Sequence, residues 1–274
     1  MLVPRIFAHN RPSHTPRLKR ALGKKVKTFP YLREISIKRE RVEDFDVYPF
    51  SLPVVRYLEN LEFKSEVAFL VGENGSGKST ILEAIAVALG FNPEGGTINF
   101  NFNTHESHSK LHEYIRLVKS HIKPKDGFFL RAESYFNVAT NIEALDNEPS
   151  FGPPIKDSYG GVSLHEQSHG ESFLALMLHR FGGKGLYLLD EPEAALSPMR
   201  QLAVLSRMKQ LIDDSSQFII ATHSPILLAY PNADIFQIDE TGITEVSYRD
   251  TEHYKITRSF LENPDRMLSE LFMD

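Results

Sequence analysis

The stretch VAFLVGENGSGKSTILEAIAVALG, residues 67–90, joins an apolar run, a glycine-rich turn and an amphipathic segment. The run up to Val71 has the residue types of a buried strand. From Ser79 to Leu89 apolar residues recur at helical spacing, and Gly90 is a helix stop signal. The stretch therefore predicts a strand, a turn and a helix, and the turn either holds a phosphate or only joins two packed elements.

The turn matches the pattern G-x-x-x-x-G-K-[ST], and its position between a strand and a helix favours the phosphate-binding interpretation. Glycines let successive backbone N–H groups point at phosphate oxygens, and the positive end of the helix adds to the attraction. Lys78 would reach the β- and γ-phosphates, and the Ser79 hydroxyl would bind Mg²⁺. The predicted nucleotide-binding residues of this segment are Gly72, Glu73, Asn74, Gly75, Ser76, Gly77, Lys78, Ser79 and Thr80.

A second apolar run, LYLLDEP at residues 186–192, ends in two acidic residues. Open α/β sheets bind ligands at the carboxyl ends of their strands, which is where this run places Asp190 and Glu191. Asp190 can hold the Mg²⁺ shell, and Glu191 can orient and deprotonate an attacking water. We therefore predict that Ser79 and Asp190 bind the metal and that Glu191 is the catalytic base.

Other segments extend the pattern of short apolar strands alternating with helices. Strands are predicted at 33–42, 66–71, 127–134, 185–190 and 216–221, a helix at 110–120, and a long surface loop at 137–161. Apolar strands of this kind indicate a mainly parallel sheet that is covered on both faces.

Two further motifs complete a recognisable series. SHGES at residues 168–172 precedes a helical pattern, and ATHSP at 221–225 places His223 after a strand. In order and spacing, residues 30–240 resemble the ABC-type ATPase superfamily, in particular its stand-alone RecF- and SMC-like members. The resemblance implies a P-loop NTPase fold of the α/β class, a mainly parallel central sheet flanked by helices, a helical signature region and a small antiparallel β portion near the N-terminus.

The resemblance also implies residue roles. Ser168 and Gly170 would form a signature that binds nucleotide, Ala195–Ser197 a D-loop, and His223 a catalytic switch histidine beside Lys78 and Glu191. ATP and Mg²⁺ are the implied cofactors. Two protomers would close head to tail over two ATP molecules, with the signature of one facing the γ-phosphate held by the other, so the implied assembly is an ATP-dependent homodimer.

The series departs from the family pattern at three places. His169 replaces a signature glycine, and Glu171 ends the motif as in SMC and RecF proteins. The glutamine expected after the strand at 127–134 is missing, so Glu133, Ser134 or a water would serve the metal instead. Ser197 stands where the D-loop aspartate is expected.

Three functions fit these motifs. The first is a soluble ATPase that acts in nucleic-acid maintenance or defence, with nucleic acid or an unidentified protein as partner. The alternatives are the ATP-binding subunit of an ABC transporter and a nucleotide-switched interaction module. The missing glutamine weakens the transporter reading, because that loop is where transporter ATPases engage their membrane partner, and the full set of catalytic residues weakens the module reading.

Composition and charge agree with a globular protein that has no membrane span of its own. The 274 residues are 41% hydrophobic and include no cysteine, which excludes disulfides and thiolate metal sites. Residues 1–28 hold eight Lys and Arg and no acid, so removing them from the net charge of −5 leaves −13. We predict a cytoplasmic protein with a basic arm at 1–28, which binds nucleic acid or is a solvated tail. An ATPase domain at 29–250 would include an insertion or helical region at about 95–170, and a helical tail would follow at 251–274.

Two smaller features stay open at the level of sequence. Tyr48 or Phe50 would stack on adenine or belong to the core or an edge strand. His105, His108 and His112 would hold a metal or lie on a solvated face, and the second interpretation is preferred because polar residues surround them.

Overall fold

The computed structural model describes residues 30–98, 109–131 and 169–273, together with the single positions 140, 143, 146, 157 and 161. The strands are β1 Leu32–Ile37, β2 Asn60–Glu62, β3 Val67–Gly72, β4 Ile115–Lys119, β5 Asp126–Arg131, β6 Gly185–Asp190, β7 Gln217–Ala221, β8 Asp234–Asp239 and β9 Gly242–Glu245. The helices are α1 Pro53–Arg56, α2 Lys78–Leu89, α3 Leu111–Tyr114, α4 His169–Ala175, α5 Pro198–Asp213, α6 Glu252–Glu262 and α7 Pro264–Leu271. A π-helical turn, Leu176–Arg180, continues α4.

The main sheet has the strand order β5-β6-β7-β3-β8-β9, and all neighbouring strands are parallel except β8 and β9. Every residue of β3, β6 and β7 is buried, because packed layers cover both faces of the sheet. The expectation of a mainly parallel α/β fold is confirmed. The carboxyl ends of β3, β6 and β7 lie side by side at one edge, where the chemically important motifs follow each strand.

A smaller antiparallel sheet of order β2-β1-β4 forms the predicted β portion near the N-terminus. Ile35 of β1, Ile115 of β4, Ile85 of α2 and Leu70 of β3 belong to one buried cluster, so α2 packs with both sheets. The side chain of Gln217 joins the sheets directly. Its Nε2 donates to the carbonyl oxygen of Leu32, and its Oε1 accepts from the Leu32 N–H, both at 2.9 Å.

A second buried cluster covers the other face of the main sheet. Phe173 of α4, Met177 of the following π-helical turn and Met208 of α5 pack there against Phe69 and Tyr187 of the sheet. The apolar spacing after the SHGES motif thus forms the predicted helix, and that helix lies against the sheet.

The structure corrects the helix predicted at 110–120. Only α3, Leu111–Tyr114, is helical, and β4 follows it directly. Ile115 is buried and Arg116 exposed, and these residues pair antiparallel with Ile37 and Ser36 of β1. Pairing with a distant strand outweighs the helical spacing, since β conformation depends strongly on tertiary context.

The other element boundaries differ less from the predictions. The strand expected at 33–42 ends at Ile37, because a 3₁₀ turn at Arg39–Arg41 follows it. A 3₁₀ turn, Pro192–Ala195, separates β6 from α5. β5 lies inside the range 95–170 and belongs to the main sheet. Most of the loop predicted at 137–161 lies outside the described residues.

Beyond β9 the chain forms α6 and α7 within the range expected for a helical tail. In the described ranges, no helix combines the length and the apolar character needed to cross a membrane.

Candidate functional site

The predicted phosphate-binding turn runs from Gly72, the last residue of β3, to Lys78, the first residue of α2. Gly75 and Gly77 have left-handed backbone conformations, with φ angles of +83° and +96°. A Cβ on Gly77 would lie 2.5 Å from Cγ1 of Val54 in α1. Glycine is therefore required at this position both by its φ angle and by the close approach of α1.

Lys78 is the buried cation of this turn. Its Nζ donates to the carbonyl oxygens of Gly72 at 2.9 Å and Glu73 at 2.8 Å. Burial lowers the pKa of the Lys78 ammonium, and the carboxylates of Glu191 and Asp190 oppose that shift. The turn thus holds a positive charge at its centre, as a phosphate site requires.

Some side chains at this edge leave buried polar atoms without partners. Within the described residues, Ser76 Oγ and His223 Nε2 are buried and accept or donate no hydrogen bond. Such atoms are rare in folded proteins, and a bound ligand is one reason for them. A phosphate held by the turn would satisfy both with its acceptor oxygens, so the residues present fit a nucleotide.

The two predicted metal ligands lie together. Ser79 Oγ, on the first turn of α2, donates to Asp190 Oδ1 at the end of β6 at 2.9 Å. Asp190 is buried. A hydroxyl and a carboxylate beside a phosphate site are oxygen ligands of the kind that Mg²⁺ takes in proteins.

Glu191 follows β6 in a strained conformation. Its φ of +48° is left-handed, although the residue is not glycine and precedes Pro192. Its backbone N–H donates to the carbonyl oxygen of Ala221 in β7 at 2.9 Å. Backbone outliers of this kind concentrate at functional sites. The conformation leaves the carboxylate partly exposed, and its Oε1 lies 3.6 Å from His223 Nε2.

His223 lies just beyond β7, with its ring between two groups. Nε2 faces Glu191, while Nδ1 lies 3.0 Å from Nε2 of His253. Burial, and then the charge of Lys78, lowers the pKa of His223. The structure brings Lys78, Glu191 and His223 to one edge, as the motif series predicts.

Glu193 and His253 are two residues of this site that the sequence reasoning missed. Glu193 Oε1 accepts the backbone N–H of His223 at 2.5 Å, and burial raises the pKa of the Glu193 carboxyl. The segment DEPE carries a signal for Glu193, as a second acidic residue after β6. His253 lies 30 residues beyond His223 with no motif around it, so no local pattern points to it.

Gly170, a predicted signature residue, lies at the start of α4. A Cβ on Gly170 would be 2.4 Å from the carbonyl oxygen of Ala195 and 2.6 Å from NH1 of Arg200. Glu171 accepts from Arg200 NH2 at 3.1 Å. The start of α4 therefore packs tightly on the turn that precedes α5. Ser168, the other predicted signature residue, lies outside the described residues.

A cavity of about 560 Å³ adjoins the phosphate-binding turn. It is lined by Glu73, Asn74, Gly75 and Ser76, by the β8–β9 turn, and by Pro53 and Glu252. Of the two aromatic candidates for adenine stacking, Tyr48 is exposed and Phe50 packs edge-on against Tyr114 at 4.8 Å. Neither lines this cavity within the described part of the chain.

Thr80, the last predicted nucleotide-binding residue, is half-buried at the start of α2.

Glu133 and Ser134, the proposed substitutes for the missing glutamine, lie outside the described residues. Just before them, Arg131 NH1 donates to Glu83 Oε2 at 2.6 Å. His105 and His108 also lie outside, and no group of three or more His, Asp or Glu side chains that could hold a metal occurs among the residues described.

Comparison with known proteins agrees with this geometry. The AAA domain family matches residues 49–219, which is more than half of the chain. Among curated proteins, the L-cystine transport system ATP-binding protein TcyN of Escherichia coli (strain K12) is 28% identical over 231 residues, covering 74% of this chain and 89% of that protein. An uncharacterized ABC transporter ATP-binding protein of Haemophilus influenzae (strain ATCC 51907 / DSM 11121 / KW20 / Rd) is 24% identical over 200 residues, covering 68% of this chain and 75% of its own length.

Among solved structures, the SMC head domain from Thermotoga maritima aligns with a TM-score of 0.41 and 17% identity, covering 79% of this chain and 99% of that one. The family match and the curated relatives agree with the resemblance noted in the sequence. The chain therefore belongs to the AAA domain family and is an ATP-binding ABC-type P-loop ATPase.

Proposed function

We propose that this protein hydrolyses ATP at the edge of the main sheet where β3, β6 and β7 end. The observation that carries the proposal is the approach of Glu191 and His223 to one another, at 3.6 Å, beside the buried Lys78. For water to attack a γ-phosphate, a base, a hydrogen-bond donor and a cation have to surround the phosphate position. The site holds all three kinds of group.

Each residue has a separate task in this proposal. Lys78 would exchange its two carbonyl partners for phosphate oxygens and neutralise their charge. Glu191 would orient a water and accept its proton, while the Nε2–H of His223 donates to the γ-phosphate. Ser79 and Asp190 would hold Mg²⁺. When bound, the ion neutralises phosphate charge.

We further propose that the working unit is an ATP-sandwiched homodimer. Gly170 packs against the carbonyl oxygen of Ala195, just ahead of α5, and against NH1 of Arg200. As the family resemblance implies, the signature of one protomer, Ser168 and Gly170, would complete the site of its partner. ATP would link the two surfaces, and hydrolysis would release them.

Nucleic acid is the partner that we propose for this cycle. Six basic residues line two adjoining cavities at the opposite edge of the sheet, and we call this surface the basic edge; they are Lys119, His121, Lys123, Lys125, Arg180 and Lys184. Pro30, the first described residue after the basic arm, also lines this surface. Together, the arm and the basic edge would neutralise phosphates of a nucleic acid without reading its sequence.

The relatives favour a second candidate, the ATP-binding subunit of a transporter. Both curated relatives described above carry names of ATP-binding proteins of transport systems. In that case the ATP cycle would drive a membrane partner. The cytoplasmic location predicted from the sequence fits either candidate and stays a prediction.

One assay separates these possibilities. The ATPase rate of the full chain is measured alone and with double-stranded DNA, single-stranded DNA and RNA, over a salt series. We expect turnover that nucleic acid stimulates and that salt suppresses, and a weaker salt dependence after deletion of residues 1–28. Turnover that is indifferent to all three polymers would favour the transporter candidate. Absence of turnover under every condition would contradict the proposal of hydrolysis.

A further inference from the structure

The ring of His253 contacts the ring of His223, and both residues lie beyond the AAA domain match at 49–219. His253 lies in α6, and its Nε2 is 3.0 Å from His223 Nδ1. The ring centroids are 5.1 Å apart, and the planes are inclined at 57°. This distance and the nature of the two atoms define an N–H···N hydrogen bond, in which one ring must donate and the other accept.

The start of α6 is anchored so that this contact forms. Thr251 is fully buried, and its Oγ1 accepts the N–H of Tyr254 at 3.3 Å and donates to the carbonyl oxygen of Tyr248 at 2.8 Å. The hydroxyl of Tyr248 donates to the carbonyl oxygen of Pro225 at 2.9 Å, two residues beyond His223. His253 is therefore held by a helix cap and by a tie to the loop that carries His223.

The direction of the hydrogen bond follows from the other side of the His223 ring. Nε2 faces Glu191 Oε1 at 3.6 Å and, in the proposed function, a phosphate. Carboxylate and phosphate oxygens only accept, so the favourable proton position on His223 is Nε2. A neutral imidazole carries one N–H. Nδ1 is then an acceptor, and the proton of the N–H···N bond has to come from His253.

The surroundings keep both rings neutral. Lys78, Glu191, Glu193 and Glu252 are the charged groups that act on the pair. Burial lowers the pKa of both His223 and His253, and the charge of Lys78 acts in the same direction on each. Glu191 favours the charged form of His223, but burial outweighs it. The contact between the two rings therefore determines the tautomer of each ring and not its charge.

We propose that His253 is a positioning residue, whose Nε2–H holds His223 in the tautomer that directs a proton from Nε2 toward the γ-phosphate. This inference rests on the proposed function for its catalytic meaning, while the tautomer itself is a property of the protein without nucleotide. His253 touches neither the reacting phosphate nor the water in this role. It acts through His223 alone.

The test is nuclear magnetic resonance of the full chain labelled with ¹⁵N-histidine, without nucleotide at neutral pH. We expect a bare Nδ1 on His223, a proton on Nε2 of His253, and a scalar coupling between these two nitrogens across the hydrogen bond. His223→Asn and His253→Asn identify the signals. A proton on His223 Nδ1, or a missing coupling, would overturn the inference.

ATPase kinetics of matched variants supply the second readout. In His253→Gln the amide nitrogen replaces Nε2 and can donate, whereas in His253→Asn it lies nearer the position of Nδ1 and does not reach His223. His253→Phe keeps the ring without a donor. We expect kcat of His253→Asn and His253→Phe to be about tenfold or more below that of the unaltered protein, with little change in KM. We expect His253→Gln to keep a kcat close to that of the unaltered protein. His179→Gln, at an exposed histidine outside the site, is the control.

Failure of the inference and failure of the proposed function give different results. If the unaltered protein hydrolyses ATP and the Gln, Asn and Phe variants share one kcat, the positioning role is wrong. If the unaltered protein does not hydrolyse ATP, the proposed function is wrong, and the ¹⁵N measurement still decides the tautomer. The Asn and Gln pair keeps the test usable if His253→Phe does not fold, because both are polar and neither adds volume.

Discussion

Among single residues, Lys78 carries the positive charge on which the proposed nucleotide binding depends. It is buried, and two backbone carbonyls hold its ammonium in place without a ligand. The site is thus organised before ATP arrives, and phosphate oxygens replace interactions that already exist. Because burial weakens its solvation, the ammonium is a stronger electrostatic partner for phosphate than an exposed lysine.

Lys78→Ala is expected to abolish ATP turnover and to weaken ATP binding about 10- to 100-fold, since hydrogen bonds to charged groups contribute roughly 1.5–3 kcal/mol. Calorimetry with ATP and a phosphate-release assay measure both effects. Lys64→Ala is the matched control, because Lys64 is exposed and pairs with Glu245 away from the phosphate-binding turn. Equal turnover in Lys78→Ala and the unaltered protein would disprove the assignment of the turn.

The two coupled histidines predict how stability varies with pH. Burial lowers the pKa of His223 and His253, so the folded protein holds them neutral while the unfolded chain takes up protons below about pH 6.5. The contribution of the two neutral histidines to the free energy of unfolding is therefore fully present above that pH. It decreases as the pH falls below it. In urea unfolding from pH 7.5 to 5.5, a His223→Gln/His253→Gln protein is expected to lose less stability than the unaltered one. Parallel curves would contradict this.

Among the secondary-structure elements, the side chain of Gln217 attaches the antiparallel sheet to the main sheet. Its amide sits between β7 and β1 and satisfies both polar backbone groups of the buried Leu32. Tyr31 reinforces the same junction, since its hydroxyl donates to the carbonyl oxygen of Ser215 at 2.8 Å. The two sheets are thus joined by hydrogen bonds as well as by the apolar contacts of α2.

Gln217→Ala is expected to lower the free energy of unfolding by roughly 2–4 kcal/mol, because it leaves the N–H and the carbonyl of Leu32 buried without partners. Chemical denaturation followed by circular dichroism measures the change. Gln210→Ala, at an exposed position of α5, serves as control and should change stability by less than about 0.5 kcal/mol. A Gln217→Ala protein as stable as the control would show that the junction depends on apolar packing alone.

At the scale of the whole molecule, the predicted nucleotide-binding residues come from two separate parts of the chain, residues 72–80 and 168–170. The phosphate-binding turn lies at the edge of the main sheet, whereas Gly170 packs against Ala195 and Arg200. In the proposed homodimer, the signature of a second copy would meet the phosphate-binding turn. This requires that ATP bind the closed dimer better than the open monomers and so shift the population toward the dimer.

Glu191→Gln is expected to accumulate as a dimer with Mg-ATP, because the amide keeps the size of the side chain but cannot accept the proton of water. Light scattering at micromolar protein with and without saturating Mg-ATP measures the mass. Adding Ser168→Arg to this protein should restore the monomer by crowding the second phosphate site, while calorimetry still detects ATP. A mass that stays monomeric in Glu191→Gln with ATP would refute the sandwich.

Much of the fold and most of the site could be predicted from local sequence. The glycines, Lys78 and Ser79 follow one another between a strand and a helix, and Asp190 and Glu191 end an apolar run. Continuous apolar strands also imply a parallel sheet, and parallel strands bring their carboxyl ends to one edge. The local sequence was sufficient for these conclusions. Each conclusion depends on where a strand ends or a turn lies, and none depends on a particular distant residue.

Other features were decided by tertiary contacts. The segment 115–119 is a strand because β1 pairs with it, although its apolar spacing also fits a helix. Gln217 joins two sheets through a residue 185 positions away. His253 reaches His223 only because the cap at Thr251 and the hydroxyl of Tyr248 bring α6 to the end of β7. Hydrogen bonds between distant residues leave no periodic pattern in the sequence, so only the folded chain determines which side chains meet.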